Sequence, residues 1–343
     1  MKKHLNTLFV TTQDSYLAKE GETVVVKADR EVKLRVPIHT IGGIVCFGQV
    51  GCSPFLMGFC AERNVAISFL TETGRFLAKV QGPVSGNVLL RREQYRRADD
   101  NGASADLAKA MVTGKLANCR TVVNRVLRDH PEKVDSGKLE FTAKRLSSSM
   151  RKVTGAEDLD RVRGIEGDSA NIYFEAFDHF ITAQKEDFYF KGRSRRPPKD
   201  NVNCLLSFLY VLLMHDLRSA LETVGLDPAV GFLHRDRPGR SGLALDMMEE
   251  FRPFIADRLA LSLINLRKVN KKGFKTDEAG GVTMDDETRK TVLVAYQSRK
   301  QDIINHPFLE EKVSIGLLFH IQSMLMARFL RGDLDGYPPF IWK

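Results

Sequence analysis

Short runs of alternating or β-branched residues dominate the chain as far as residue 80. Such runs predict strands when turn residues separate them. They lie at residues 5–10, 23–27, 31–37, 41–47, 65–70 and 75–80. Ser53 precedes an apolar stretch and is the predicted N-cap of one helix that reaches Glu62. This part of the chain is therefore expected to form a small β-rich, sandwich-like domain.

From Asn87 onwards the apolar residues recur with the period of a helix. Long amphipathic helices are predicted at residues 87–98, 102–129, 132–150, 157–180, 200–224, 243–268, 285–304 and 309–331. A glycine-rich stretch at 271–283 interrupts these helices and predicts a loop or a small hairpin. Gly82, Pro83 and Gly86 mark the boundary between the strand-rich and the helical part of the chain. The predicted fold class is α+β, with a β-rich domain over residues 1–82 and a larger all-helical domain over residues 83–343.

Length and charge narrow the classes of protein. The chain has 343 residues, which suits about two domains of ordinary size. Its net charge of +9 favours a polyanionic partner, either nucleic acid or an anionic membrane surface. A basic enzyme with a solvated surface gives the same charge, so charge alone leaves both interpretations open.

The cysteines and the apolar runs indicate the compartment. Five cysteines form no C-x-x-C pair, and an odd number does not suit a disulfide framework. They are expected to be reduced core residues of a cytoplasmic protein. No run of about 18 apolar residues occurs, and the start of the chain is too polar for a signal peptide. Neither a membrane span nor export is expected.

Three mostly apolar segments carry polar side chains that a packed core disfavours, because an unpaired buried polar group costs about 2–7 kcal/mol. The first segment is 164–167, with Glu166 at its centre. On a helix, Glu166 shares one face with Ala170, Tyr173 and Phe174. It is either a ligand at the edge of the core or a helix-start carboxylate that the helix dipole favours.

The second segment ends at His234, after the apolar run 228–233. A turn that contains Arg235, Arg237 and Arg240 follows it. A lone histidine is often an ordinary core or surface residue. Its position beside three arginines favours a site that faces a phosphate.

The third segment is a predicted helix that carries Asp246, Glu249 and Glu250. Asp246 lies about 60° from Glu249 and about 40° from Glu250 around a helix with about 100° per residue, so the three share one broad sector. Clustered carboxylates repel one another unless a cation lies nearby. The alternative is a solvated acidic stripe, although apolar residues surround these acids.

Taken together, the three segments supply two or three carboxylates and one imidazole. This set suits a hard cation, Mg²⁺ or Mn²⁺. Beside arginines in a basic protein, the expected substrate is a phosphodiester, which such an ion polarises.

These segments also resemble a known family. The β-rich start followed by G-x-E-G-x-x-A-x-x-Y-F, G-F-L-H and L-D-x-M-E-E-F-R-P is similar to the CRISPR-associated integrase, the DNA-joining subunit of spacer acquisition. The string from His234 to Arg240 and the ending 338–343 look most like its subtype I-C branch.

The resemblance implies metal ligands at Glu166, His234 and Glu249, which would make these the catalytic residues. Helix geometry alone slightly favours Glu250 over Glu249, whereas the family pattern favours Glu249. Asp246 matches an acid that lies beside the site in relatives.

The resemblance also implies contacts with DNA. Arg237 matches a basic position that contacts a DNA phosphate in relatives, and Arg240 of the same string is expected to act with it. Tyr210 matches a tyrosine near the DNA end, although a core aromatic on an apolar helix explains it equally well.

As partners, the resemblance implies double-stranded DNA, both protospacer and repeat. It further implies a homodimer built through the N-terminal β domain, and a smaller ferredoxin-like subunit, the second-numbered CRISPR-associated protein.

A basic loop between Lys185 and Lys199 suits the same partner. Six basic residues outnumber two acids there, aromatic residues interleave with them, and Pro197-Pro198 favours an exposed loop. Arg193, Arg195 and Arg196 are therefore predicted to contact the DNA backbone. A solvated linker between helices is the alternative.

The leading hypothesis is a metal-dependent DNA integrase and endonuclease that inserts a short duplex into the repeat array by attack of its 3′-hydroxyl. A metal-dependent nuclease that uses water is the second hypothesis. A non-catalytic DNA-binding scaffold is the third.

Overall fold

Two compact units make up the chain. The computed structural model describes residues 6–63, 65–72, 76–80, 82 and 88–342. One unit is Met1–Gly86 with Leu293–Asp302, and the other is Asn87–Val292 with Ile303–Lys343. The predicted positions Leu5, Arg75, Pro83, Gly86 and Asn87 lie outside the described residues. The α+β class is confirmed, because strands dominate the first unit and helices the second.

The described part of the first unit contains two four-stranded sheets. Their strands are β1 (Asn6–Val10), β2 (Ser15–Glu20), β3 (Thr23–Ala28), β4 (Glu31–Pro37), β5 (Ile41–Phe47), β6 (Val50–Cys52), β7 (Ala66–Leu70) and β8 (Phe76–Val80). The strand orders are β1-β5-β7-β8 and β4-β3-β2-β6, with β1, β5 and β7 parallel to one another. Helix α1 (Pro54–Glu62) begins as predicted, because the Ser53 side chain accepts a hydrogen bond from Leu56 N at 3.2 Å.

The core of this unit is aliphatic. Leu17, Val24, Ile44, Leu56 and Ile67 are fully buried in it. Residues 293–302 belong to the same unit although they come late in the chain.

Two of the strands described in the first unit, β2 and β6, were not predicted from the sequence. β2 hydrogen-bonds to β3 and β6, so it is a central strand of its sheet. Its Ser-Tyr-Leu-Ala-Lys-Glu sequence contains helix formers and little β-branching, and the pairing partners override that local preference. β6 has three residues, too few to show a period.

The second unit is mostly helical. Its helices are α2 (Val88–Asp99), α3 (Asn101–Asp129), α4 (Ser136–Thr154), α5 (Leu159–Glu175), α6 (Asn201–Val224), α7 (Gly242–Phe251), α8 (Arg258–Asn265), the first part of α9 (Asp286–Gln301) and α10 (Ile315–Leu330). The part of α9 from Leu293 onwards belongs to the first unit. α3 packs on α4, α5 and α7, while α6 packs on α7 and α10. Because α3 carries a long buried face, it is the helix against which the site-bearing helices align.

This domain was predicted to be all-helical, and the structure corrects that detail: it is mostly helical but also contains two short antiparallel strand pairs. β9 (Phe274–Thr276) pairs with β10 (Val282–Met284), as the hairpin interpretation of 271–283 expected. β11 (Ile303–Asn305) pairs with β12 (Lys312–Ser314), so the helix predicted from residue 309 starts only at Ile315. The Glu-Glu-Lys sequence at 310–312 has good helix formers, but strand pairing decides its conformation.

The helix predicted at 243–268 is continuous but irregular. Between α7 and α8, residues 252–257 form a π-helical segment that contains Pro253. Proline has no N–H to donate and disturbs the regular ladder of a helix. Such π segments often occur at functional sites.

One helix of the described chain, Asn201–Val224, is long and apolar enough to span a membrane by length and composition. A core helix of a globular domain passes the same test, and 56% of its apolar window is buried within the fold.

Candidate active site

Glu166 lies in the middle of α5. The helix begins at Asp158, whose side chain accepts a hydrogen bond from Arg161 N at 2.7 Å. The alternative of a helix-start carboxylate is therefore wrong. A Cβ at Gly164 or Gly167 would meet nothing within 4 Å, so the surface beside Glu166 is open. The Glu166 side chain is 24% exposed there.

A buried lysine connects the two predicted glutamate ligands. Lys115 lies on α3 and is 6% exposed. Its Nζ contacts Glu166 Oε1 and lies 2.7 Å from Glu249 Oε2. Burial alone would lower the pKa of Lys115, but the charges of Glu249 and Glu166 outweigh it and hold the pKa above its ordinary value. Lys115 is therefore a permanent cation between two carboxylates.

Glu249 is almost fully buried, at 2% exposed. Arg252, one turn further along the helix, holds its Oε1 at 2.6 Å. Oε2 has the contact with Lys115 but accepts no hydrogen bond of good geometry. Burial alone would raise the pKa of Glu249, but Arg252, Lys115 and His234 outweigh it and hold the pKa below its ordinary value. The carboxylate is thus ionised, with one oxygen available for a better partner.

His234 is held by Asp246. One Asp246 oxygen accepts from Phe232 N and Leu233 N at 2.6 and 2.9 Å, and the other accepts from His234 N at 2.9 Å. His234 Nδ1 lies 2.6 Å from Asp246 Oδ1. Because Nδ1 is engaged, Nε2 is the ring nitrogen that can bind a ligand.

Two glycines let the His234 loop approach α7. A Cβ at Gly231 would fall 2.6 Å from the carbonyl carbon of Gly242 and 2.7 Å from Asp246 Oδ2. A Cβ at Gly242 would fall 2.6 Å from Ala229 O. Only glycine at both positions permits this contact, and the contact places His234 against Asp246.

The three acids of α7 point to three different partners. Asp246 holds the His234 loop and Glu249 shares Lys115 with Glu166. Glu250 accepts from Tyr337 OH at 2.8 Å and from Phe340 N at 2.7 Å. All three are buried, so the alternative of a solvated acidic stripe is wrong. Of the two glutamates that helix geometry left open, Glu249 is the one that lies with Glu166.

Glu250 anchors the end of the chain. Asn118 on α3 assists, because its side-chain nitrogen donates to Glu250 O and Phe340 O, and its oxygen accepts from Trp342 N. Burial raises the pKa of Glu250 to about 8, even though Phe340 N–H, Tyr337 and Gln322 donate to its carboxyl.

Basic residues line a cleft beside Glu166 and His234. The cleft has a volume of about 430 Å³ and is lined by Asp160, Arg163, Glu166, Leu233, His234, Arg235, Arg237 and Arg240. Arg237 is exposed and Arg240 half-buried. Arg163 Nε donates to Leu233 O at 2.7 Å, so it ties the His234 loop to α5. The predicted DNA-contacting pair Arg237 and Arg240 therefore shares a cleft with the site.

Tyr210 lies behind the site. Its hydroxyl donates to Asp257 Oδ1 at 2.6 Å, and Tyr173 OH donates to Asp257 Oδ2 at 3.1 Å. The guanidinium groups of Arg193 and Arg252 lie 5.2 and 5.1 Å from the centre of the Tyr210 ring. Burial raises the pKa of Asp257 to about 6, although the hydrogen bonds from both tyrosines oppose the rise. Through Arg252, this network supports Glu249.

The basic loop divides into two kinds of arginine. Arg193 donates to Asn203 Oδ1 at 2.6 Å and to Ser207 Oγ at 3.1 Å, so it fastens the loop to α6. Arg195 and Arg196 are exposed.

The chemistry of these residues fits a divalent cation. Among the described His, Cys, Asp and Glu side chains, no three stand close enough to hold an ion without rearrangement. Lys115 already occupies the space between Glu166 and Glu249, and Glu249 Oε2 is buried without a hydrogen bond. Two carboxylates and one imidazole held by an acid form a donor set that Mg²⁺ and Mn²⁺ accept.

Sequence reasoning missed Lys115, Arg252 and Asp257. Lys115 is the one charged residue in the helical stretch 111–119, which was a signal of a buried charge. Arg252 and Asp257 lie in the π-helical segment that follows α7. Because the sequence predicted one long helix over 243–268, nothing in it distinguished these two residues from the rest of that helix.

The fold and site define a class: a β-rich unit followed by a helical unit that carries two glutamates and a histidine near a basic cleft. The chain belongs to the CRISPR associated protein Cas1 family, whose family model matches residues 8–298. CRISPR-associated endonuclease Cas1 1 of Chlorobaculum tepidum is 59% identical over 343 residues, 100% of both chains. CRISPR-associated endonuclease Cas1 2 of Rhodospirillum rubrum is 51% identical over 347 residues, again 100% of both.

Solved structures share the fold. A CAS1 protein from Thermotoga maritima, TM1797, has a TM-score of 0.80 and 24% identity, covering 95% of this chain and 97% of that one. A casposase bound to integration product has a TM-score of 0.84 and 21% identity, covering 99% and 95%. A Cas6-RT-Cas1–Cas2 complex has a TM-score of 0.82 and 21% identity, covering 99% of this chain and 36% of that one.

Proposed function

We propose that this protein is a metal-dependent DNA endonuclease and integrase of CRISPR adaptation. One observation carries the proposal: Glu166 of α5 and Glu249 of α7 share a single cation, the ammonium of Lys115, beside a cleft lined by arginines. A site that already gathers two carboxylates around one positive charge suits a divalent cation. The relatives named as endonucleases support the same activity.

Glu166, Glu249 and His234 would hold Mg²⁺ or Mn²⁺. When bound, such an ion polarises a phosphoryl oxygen and stabilises charge on the attacking and leaving oxygens. Asp246 keeps the His234 ring in one orientation through the contact at Nδ1. Arg252 keeps Glu249 in place through the ion pair at 2.6 Å.

Arg237 and Arg240 would bind the phosphate groups of DNA in the cleft. Guanidinium groups pair with phosphate oxygens through two parallel hydrogen bonds. Since both arginines line the cleft that contains Glu166 and His234, a phosphodiester held there lies beside the proposed ligands.

In the proposed integration step, the 3′-oxygen of an incoming duplex forms a bond to the phosphorus at a CRISPR repeat boundary. The bond from that phosphorus to the repeat's own 3′-oxygen breaks. The attacking hydroxyl gives its proton to solvent and the leaving oxygen takes one up. One phosphodiester replaces another, so neither a covalent enzyme intermediate nor an external energy source is required.

Hydrolysis is the second candidate activity. The Glu166 and His234 side chains are 24% and 20% exposed, so water reaches the same site. Water in place of the 3′-hydroxyl gives a nick in branched or single-stranded nucleic acid. A non-catalytic scaffold, the third candidate, would depend on the basic surface alone.

The proposed partners are double-stranded DNA, a second copy of the chain joined through the β-rich unit, and the ferredoxin-like Cas2 subunit. The net charge of +9 supports DNA, and the similar fold within a Cas6-RT-Cas1–Cas2 complex supports Cas2. We also propose a cytoplasmic location, which five free cysteines suit, and the subtype I-C branch, which the motif string from His234 to Arg240 favours.

The test is joining of a labelled duplex into a supercoiled plasmid that carries a CRISPR repeat, with and without Mn²⁺. Strand transfer that requires Mn²⁺ is the expected result. Nicking without transfer would favour hydrolysis. A gel shift without any product would favour the scaffold and contradict both enzymatic proposals.

A further inference from the structure

Lys115 occupies the space that a shared cation would need. Its ammonium touches Glu166 Oε1 and lies 2.7 Å from Glu249 Oε2, and the residue is buried. The pairing therefore offsets the repulsion between the two carboxylates. Any inference about Lys115 rests on the proposed function, because it concerns the same site.

The two oxygens of Glu249 are held differently. Oε1 pairs with Arg252 at 2.6 Å, whereas Oε2 has only the contact with Lys115 and no hydrogen bond of good geometry. Oε2 is thus the oxygen that can change partner without disturbing Arg252.

The balance of charges determines whether Lys115 can stay in contact with Glu249 when a divalent cation binds. Two carboxylates face two cations, Lys115 and Arg252; Lys115 and Glu249 are buried, whereas the Glu166 side chain is 24% exposed. A divalent cation added to that set would repel a fixed ammonium a few ångströms away, and water screens this repulsion little around the buried Lys115 and Glu249. Movement of the ammonium away from Glu249 would remove this repulsion and free Oε2 for the cation.

The lysine side chain can move but its backbone cannot. A Cβ at the neighbouring Gly114 would lie 3.0 Å from Pro339 Cβ and 3.3 Å from Glu250 Cγ, so α3 is tightly packed at this turn. The lysine stem has four rotatable carbon bonds and a compact ammonium. The exchange therefore needs a rotamer change and no helix shift.

We propose that Lys115 is an exchangeable counter-cation of the catalytic carboxylates. It holds Glu166 and Glu249 together in the metal-free protein and is displaced when a divalent cation binds. Lys115 then sets the concentration of divalent cation at which the site loads.

Replacing Lys115 should lower the Tm of the protein in EDTA and raise its affinity for Mn²⁺. Lys115→Met removes the charge and keeps the length of the side chain, so the metal-free protein loses its counter-ion. Its Tm in EDTA should fall by about 5 °C or more. Its affinity for Mn²⁺ should rise about tenfold or more, which corresponds to about 1.4 kcal/mol. A merely structural lysine would lower both stability and affinity.

The measurements are Mn²⁺ titration followed by the EPR signal of free Mn²⁺, and thermal unfolding with EDTA or with Mn²⁺. Lys109→Met is the matched control, because Lys109 lies on the same helix in an exposed pair with Asp106. Lys115→Gln, whose amide donates without charge, is the second variant if Lys115→Met does not fold. Lys115→Arg keeps the charge and should bind Mn²⁺ no more tightly than the wild type.

Glu249→Gln separates this inference from the proposed function. If the wild type and Glu249→Gln bind Mn²⁺ equally, the site holds no ion, and both the proposed function and the exchange are wrong. If Glu249→Gln loses binding while Lys115→Met and Lys115→Gln bind no more tightly than the wild type, the exchange alone is overturned.

Discussion

Glu250 offers a quantitative prediction, because burial raises its pKa to about 8 from an ordinary value of 4.5. Between these two pH values the folded chain keeps a proton that the unfolded chain releases. The folded state therefore becomes less stable as pH rises, with a slope of about 1.4 kcal/mol per pH unit. Over the whole interval the loss reaches about 5 kcal/mol as an upper limit.

Glu250→Gln removes this titration and keeps most of the shape. The amide oxygen can still accept from Phe340 N, while the amide nitrogen must donate to Tyr337 OH, which loses its acceptor. That rearrangement should cost about 1 kcal/mol at pH 5. By pH 8 the absence of the titration should outweigh the cost, so the variant should be more stable than the wild type.

The assay is urea denaturation of both proteins at pH 5, 6.5 and 8, compared as the difference in free energy of unfolding. Other titrating groups are common to both proteins and cancel. Glu249→Gln is the control. In the wild type, folding lowers the pKa of the Glu249 carboxyl, so the stability that this carboxylate contributes is fully present above pH 4.5 and is lost only as pH falls further. Its difference from the wild type should therefore stay constant from pH 5 to 8. A constant difference for Glu250→Gln as well would refute the account of a protonated Glu250.

Further predictions concern the ligand histidine and the basic loop. His234→Ala should abolish Mn²⁺-dependent strand transfer and leave the DNA gel shift intact. It should change the free energy of unfolding by no more than about 1–2 kcal/mol. Strand transfer by the variant at the wild-type rate would contradict the role of His234 as a ligand. Joint replacement of Arg195 and Arg196 by Ala should flatten the slope of log DNA affinity against log salt concentration by about 1.8, because each arginine that no longer neutralises a phosphate removes about 0.9. An unchanged slope would favour the alternative that the loop is a solvated linker. Arg193→Ala should instead lower the Tm, because its hydrogen bonds fasten the loop to α6; an unchanged Tm would contradict that anchoring role.

The sequence predicted the fold class and most helices, because long amphipathic periods are strong signals. α3 illustrates this: the pattern predicted 102–129 and the structure has Asn101–Asp129. It did not predict β2, whose conformation depends on strands that flank it on both sides. Nor did it predict the start of α10, where pairing with β11 competes with helix formers.

The sequence predicted which residues belong to the candidate site, but it did not predict the contacts that they make. Asp246, Glu249 and Glu250 lie within five residues, and a helical wheel places them in one sector. Their partners come from the loop 231–234, from α3 and from the end of the chain, which are remote in sequence. Helix phase alone slightly favoured Glu250, whereas tertiary packing places Glu249 with Glu166 on either side of Lys115.

We propose that Glu166 and Glu249 form the cation site, whereas Glu250 anchors the end of the chain. The most direct measurement compares Mn²⁺-dependent strand transfer into a repeat plasmid for Glu249→Gln and Glu250→Gln, at matched protein stability. We expect no transfer by Glu249→Gln and at least partial transfer by Glu250→Gln. Transfer by Glu249→Gln together with its loss in Glu250→Gln would contradict the account.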